Sequence, residues 1–257
     1  MNGFSADWLA LRERADGAAR DKRLARRFAA TLPVDPRILD LGAGTGANIR
    51  ALAPMIGGAH WILVERDPAL RRDAMHASFV TLDLADSWPA LGALAADAVT
   101  ASAFFDLASE AWLERFAAWL AARRLPLLAA LTVDGRREWR PADPDDALVA
   151  AAFRAHQRRD KGLGPAVGPD AVGALARLLA AHGFEVAAAA SDWRLGENDR
   201  FLLEALIVGE AKAARAAAPE AAAMIAAWER RRLQTAASGR LGAVIGHRDV
   251  LALAPQI

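Results

Sequence analysis

The chain has no cysteine and no tyrosine, and only three of its 32 basic side chains are lysine. Without cysteine there is no disulfide, no thiolate metal ligand and no cysteine nucleophile, and nothing points to an oxidising compartment. Without tyrosine, a short-chain dehydrogenase would lack its catalytic phenol. An excess of either charge is also missing: 32 basic against 31 acidic side chains leave a formal net charge of +1, which disfavours nucleic acid as a partner. No stretch approaches the roughly 20 apolar residues of a membrane-spanning helix. Residues 1–20 carry Asp7, Arg12, Glu13, Arg14 and Asp16 where a secretory leader needs an apolar run. The expectation is a cytoplasmic protein with no membrane partner. The five histidines, His60, His76, His156, His182 and His247, are scattered without metal-ligand spacing, so no metal site is expected.

What is present is enough apolar material, 54% of 257 residues, for one large α/β domain. From Arg37 onward short apolar runs alternate with helical patterns, which is the signature of a parallel sheet covered by helices on both faces. Seven strands are expected, at 37–41, 60–65, 79–82, 98–102, 125–132, 184–190 and 243–253. A helix is marked over 170–182 by Pro169 and Asp170 at its start, by Val172, Leu175, Leu178 and Leu179 on one face, and by Gly183 beyond its end. The expected plan is a single domain over 1–257. It comprises a helical cap (1–34), a cofactor-binding half (35–133), an insertion or lid (134–169) and a C-terminal half (170–257) with a helical insertion (199–236) broken at Pro219.

The run Asp40-Leu41-Gly42-Ala43-Gly44-Thr45-Gly46-Ala47-Asn48 follows an apolar strand and opens a helix. Glycines there let the backbone approach a ligand, and the helix start offers free N–H groups, so a nucleotide-like ligand is implied. Gly42, Gly44 and Ala47 also satisfy the dinucleotide pattern G-x-G-x-x-G/A. Asp40 weighs against it, because a carboxylate two residues before the first glycine suits a cationic amino-acid moiety better than a pyrophosphate, and a nicotinamide-dependent oxidoreductase stays as a rival. Glu65 ends the second strand, where a carboxylate can accept from both ribose hydroxyls. Asp83 and Leu84, after the third strand, suit the exocyclic amine and ring of an adenine. A strand-end carboxylate that merely caps the next helix is the competing structural reading of each acid.

The runs DLGAGTG, LVERD, TLDLAD and AVTASAFFDL, in that order and spacing, resemble the class I S-adenosylmethionine-dependent methyltransferases over Arg37 to Thr132. The resemblance implies a Rossmann-like seven-stranded methyltransferase sheet and S-adenosylmethionine as cofactor, with S-adenosylhomocysteine as product. Gly42, Gly44 and Gly46 would line the methionine portion, Glu65 the ribose, Asp83 and Leu84 the adenine, with Ser102 under the amino group. Ala43, Thr45 and Arg66 complete the expected cofactor set, together with Asp40 and with Arg20 at the cofactor carboxylate. The fourth-strand run SAFFDL lacks the Asn/Asp-Pro-Pro-aromatic signature of amino-directed DNA enzymes.

The expected activity is methyl transfer to an oxygen or nitrogen of a small-molecule acceptor. An RNA or protein methyltransferase and a non-catalytic cofactor-binding protein are the alternatives. Asp106 and His156 are the candidate catalytic groups, and Phe105, Asp106, His156, Asp160 and Lys161 the candidate acceptor-binding set. A helix N-cap competes as the role of Asp106, and a solvated helix face as that of the 156–161 cluster. The pattern HQxxDKGxGxAxGP, beginning at His156, also resembles a group of bacterial methyltransferases of unassigned substrate. Arg12, Asp16 and Arg20 share one helix face and read first as a surface ion-pair ladder. The segment around Met224, Ile225, Trp228 and Leu233 is expected to form a lid or a homodimer surface, with core packing the competing role for Trp228.

Overall fold

A computed structural model of the chain describes residues 5–72 and 76–255; the first four residues of the expected cap lie outside these. Ser5 accepts from Trp8 N and caps α1 (Ala6–Ala19); Asp21 accepts from Leu24 N and caps α2 (Lys22–Ala29). There follow β1 (Arg37–Leu41), α3 (Ala47–Leu52), β2 (His60–Glu65), β3 (Ala77–Thr81), α4 (Trp88–Ala93), β4 (Ala98–Ser102), α5 (Glu110–Arg123) and β5 (Leu127–Arg140). Then come α6 (Asp146–Gln157), α7 (Ala171–Ala181), β6 (Glu185–Ala190), β7 (Trp193–Leu195), α8 (Arg200–Ala217), α9 (Ala222–Ala237) and β8 (Gly242–Leu253).

The strands β1, β2 and β4 are apolar nearly throughout and buried on both faces, as parallel strands between two helical layers must be. The sheet order is β3-β2-β1-β4-β5-β8-β6, with β7 paired to β8. The pairs from β3 through β5 are parallel, and β8 runs antiparallel to β5, β6 and β7. One face of the sheet packs on α5 and α7 through Leu113, Phe116, Leu120, Leu175 and Leu179. The other packs on α2 and α3 through Leu24, Phe28, Ile49 and Leu52. A third apolar cluster joins β7 and the far ends of β5 and β8 to α6, α8 and α9, with Trp139, Trp193, Trp228 and Ile245 at its centre.

Among the described residues, eight strands stand where seven are expected. The additional one, β7, has three residues, too few for an alternation signal, and exists because Trp193–Leu195 pair with Ala243–Ile245 of β8. The fifth strand also does not stop at Thr132. It continues to Arg140, so the first residues of the expected insertion are sheet, held by backbone pairing to Gly242–Ile245 through a register shift between Val133 and Arg137. The helical stretch after residue 199 is broken at Pro219, as its sequence requires, into α8 and α9. Trp228 is fully buried and donates from Nε1 to Asp146 at 2.8 Å.

Candidate functional site

The site lies where β1 is flanked by β2 on one side and β4 on the other, so that successive connections leave in opposite directions. A crevice opens beyond the carboxyl ends of the strands at such a switch point. Here it is a cleft of about 680 Å³.

The glycine-rich turn forms its floor. Gly42, Gly44 and Gly46 have φ of 62°, 54° and 79°, values that glycine adopts without a Cβ penalty. Gly42 has a second constraint, because a Cβ there would sit 2.7 Å from Phe104 Cδ2. Gly46 N-caps α3.

Below the turn a polar chain runs through the protein. Asp40 Oδ1 accepts from Thr100 Oγ1 at 2.8 Å and from Asn48 Nδ2 at 2.7 Å. Asn48 Oδ1 accepts from Arg20 Nη1 at 2.7 Å, and Arg20 Nη2 donates to Ser102 Oγ at 3.0 Å. Arg20 is placed from its neighbour: Asp21 N donates to Asp249 Oδ2 at 2.8 Å, and Asp249 Oδ1 accepts from Leu131 N, tying the α1–α2 junction to the sheet. Asp40 Oδ2, by contrast, has no partner although it is buried. Burial pushes the Asp40 carboxyl up to about 6, opposed by its bonds from Asn48 and Thr100. A carboxylate oxygen left bare at the wall of a cleft is a place for a cationic or donor group.

Glu65 spans the turn. Its Oε2 accepts from Gly44 N at 3.0 Å, and Oε1 accepts from Arg66 N and Asp67 N at 2.9 and 3.0 Å. Oε2 retains one acceptor site. Asp83 is exposed at the rim, accepting from Ala85 N at 3.0 Å, and the Leu84 carbonyl is held by Trp112 Nε1 at 2.8 Å.

Of the residues singled out from the sequence, the cleft gathers Asp40, Gly42, Ala43, Gly44, Thr45, Glu65, Arg66, Asp83, Leu84, Ser102, His156, Asp160 and Lys161. It does not gather Gly46, Arg20, Phe105 or Asp106 in its lining. Phe105 is 1% exposed and packs on Phe104, Trp112 and Phe116; the wall there is Phe104 and Leu107. Asp106 occupies a 3₁₀ turn, Phe105–Leu107, with Oδ1 buried and unpartnered, and burial raises its carboxyl to about 6.

The roof comes from the α6–α7 connector and from two helices. The connector is pinned by Ser109 N to Leu163 O at 3.1 Å and by Val167 N to Ala108 O at 2.8 Å. Lys161 Nζ lies 3.3 Å from His156 Nδ1. An ammonium can only donate, so Nδ1 accepts and the ring proton sits on Nε2. Burial, then the Lys161 and Arg159 charges, hold His156 below its ordinary range.

Leu9, Arg12 and Asp16 bring α1 into the lining, and Lys212 brings α8. The surface ladder expected on α1 is therefore corrected: Arg12 and Asp16 are 9% and 6% exposed. They pair at 2.8 and 3.0 Å, with Trp193 Nε1 donating to Asp16 at 3.0 Å and the Arg12 guanidinium over the Trp193 ring. Their i, i+4 spacing was the available signal. Thr100, a hydroxyl inside an apolar strand, was another. Asn48 and Lys212 gave none.

This arrangement is the fold of class I S-adenosylmethionine-dependent methyltransferases. It matches the cyclopropane-fatty-acyl-phospholipid synthase-like protein from Lactobacillus casei, with 16% identity, 98% of this chain and 96% of that one covered, and a TM-score of 0.51. It also matches a proposed type II methyltransferase from Anaeromyxobacter dehalogenans, with 17% identity over 91% and 96% of the two chains and a TM-score of 0.50. In sequence, 136 residues are 34% identical to the biotin biosynthesis bifunctional protein BioCD of Bordetella avium, spanning 50% of this chain and 29% of that protein's length. No protein-family model matches the sequence. Among the described residues, no helix is long and apolar enough to cross a membrane.

Proposed function

We propose that the protein transfers a methyl group from S-adenosylmethionine to an oxygen or nitrogen of a small-molecule acceptor. The observation that carries this reading is Asp40 Oδ2, a buried carboxylate oxygen without a partner at the wall of the cleft. The donor's α-ammonium supplies the cation that this oxygen lacks. A dinucleotide pyrophosphate would instead meet a carboxylate of its own charge sign there.

In the same reading the donor's carboxylate meets Arg12, which lines the cleft, whereas Arg20 acts from below through Asn48 and Ser102. Glu65 accepts from a ribose hydroxyl with the Oε2 lone pair its amide partners leave free. Asp83 takes the adenine amine while Leu84 packs on the ring. The bound donor supplies a sulfonium methyl that is already reactive, so the protein's task is alignment and exclusion of water. The pinned connector and α1 serve the second purpose by closing the cleft from above.

His156 donates from Nε2 in this geometry and orients an acceptor rather than deprotonating it. Asp106 stands one residue before the wall residue Leu107, outside the cleft lining. Release of S-adenosylhomocysteine, followed over a panel of small oxygen and nitrogen nucleophiles, tests the reading. At least one acceptor should give turnover that Glu65→Ala reduces by about tenfold or more through weaker donor binding. Tight donor binding with no release across the panel would instead describe a protein that holds the cofactor without chemistry.

A further inference from the structure

We propose that the acceptor carries an anionic group, a carboxylate or a phosphate, seated by Lys161, Lys212 and Arg159. The inference rests on the donor-cleft reading above and names the substrate class for its remaining part.

The chain has three lysines, and two of them, Lys161 and Lys212, line the cleft; the third, Lys22, is exposed on α2 and does not. They arrive from different elements, one on the α6–α7 connector and one on α8. Arg159 links the two elements by donating from Nη2 to Ala216 O at 2.7 Å, one helical turn beyond Lys212 and on the same face. All three cations line the one cleft.

Among the described residues, no carboxylate lies within ion-pair distance of Lys161, Lys212 or Arg159. The other clustered arginines are paired: Arg231 with Asp143 and Asp145, Arg136 with Asp134 and Asp192, and Arg137 with Glu210. Asp160, the acid nearest in sequence, spends Oδ1 on Gly162 N at 2.6 Å. Like charges held together without a counter-charge raise the energy of the empty site, and an anionic ligand relieves this. Crowding is also visible in Lys161, whose ammonium is held below its usual range first by burial and then by Arg159. His156, with its Nε2 proton, adds a further donor.

The test is calorimetric titration of the full chain saturated with S-adenosylhomocysteine, using inorganic phosphate, succinate and the neutral succinamide as probes. Phosphate or succinate should bind and succinamide should not; the tighter anion tells a phosphorylated acceptor from a carboxylated one. Lys161→Met and Lys212→Met should each weaken that anion by about tenfold, the loss of one charge-assisted contact, while Lys22→Met leaves it unchanged. S-adenosylhomocysteine affinity should hold within about twofold in all three variants, which also shows that they fold. Equal binding of succinamide, or equal weakening by Lys22→Met, overturns the proposal. If S-adenosylhomocysteine itself does not bind the unmodified protein, the donor-cleft reading fails instead, and the two failures are distinct.

Discussion

At the scale of single residues, the site is built at a cost in stability that a ligand offsets. Asp40 is fully buried with one bare oxygen, and its carboxyl titrates at about 6 against an ordinary 3.8. Its folded pKa is raised, so the native state holds the proton more tightly than the unfolded chain. Stability from this group is therefore complete below about pH 4 and is lost as pH rises through about 6. Asp40→Asn removes the buried charge while keeping an acceptor for Asn48 and Thr100. It should stabilise the ligand-free protein at pH 7.5 by about 1–3 kcal/mol in urea titrations and weaken the donor by tenfold or more. In the unmodified protein, S-adenosylhomocysteine should bind progressively more weakly below pH 6, by up to about tenfold per unit, as the carboxylate takes a proton. A flat affinity between pH 5 and 7.5 would remove Asp40 from the contact.

At the scale of elements, α1 both covers the cleft and lines it. Its polar residues Arg12 and Asp16 are buried against Trp193 of the short strand β7. Arg12→Met leaves Asp16 with one bond from Trp193 and only the unbonded charge of Arg20 nearby. Because the pair faces a solvent-filled cleft, the expected loss is about 2 kcal/mol, less than for a fully interior pair. Arg12→Met combined with Asp16→Asn should recover most of it, as judged by urea midpoints. The same element shows where reading the sequence stops. The turn from Asp40 to Asn48 is legible because its chemistry is local: three glycines, an apolar strand before them and a helix after. Strands β1, β2 and β4 are legible because burial on both faces makes them apolar runs. Lys212 enters the site only through tertiary packing of a distant helix, and for Arg12 and Asp16 the i, i+4 spacing marks a pair but not its burial against β7, which packing supplies.

At the scale of the molecule, three apolar clusters meet around one crevice. The turn and α3 belong to one, Leu84 and Phe104 to a second, and α1, α6 and α8 to a third. The third was the least legible. Its sheet portion, Asp134–Arg140 with β7, has polar or very short sequence and becomes strand only because the long β8 offers it a partner. A ligand seated in the crevice ties all three clusters together. Donor at about a hundred times its Kd should therefore add roughly 2.7 kcal/mol, moving the thermal midpoint of a chain this size up by about 5–10 °C. A single transition should be retained, since no cluster can then open alone.

The central claim is that the crevice at Asp40 takes S-adenosylmethionine and not a dinucleotide. Parallel calorimetric titrations of the unmodified protein with S-adenosylhomocysteine and with NADH test it most directly. The account predicts saturable one-to-one binding of S-adenosylhomocysteine that Asp40→Asn weakens, and no saturable heat with NADH. Binding of NADH in place of S-adenosylhomocysteine would contradict it.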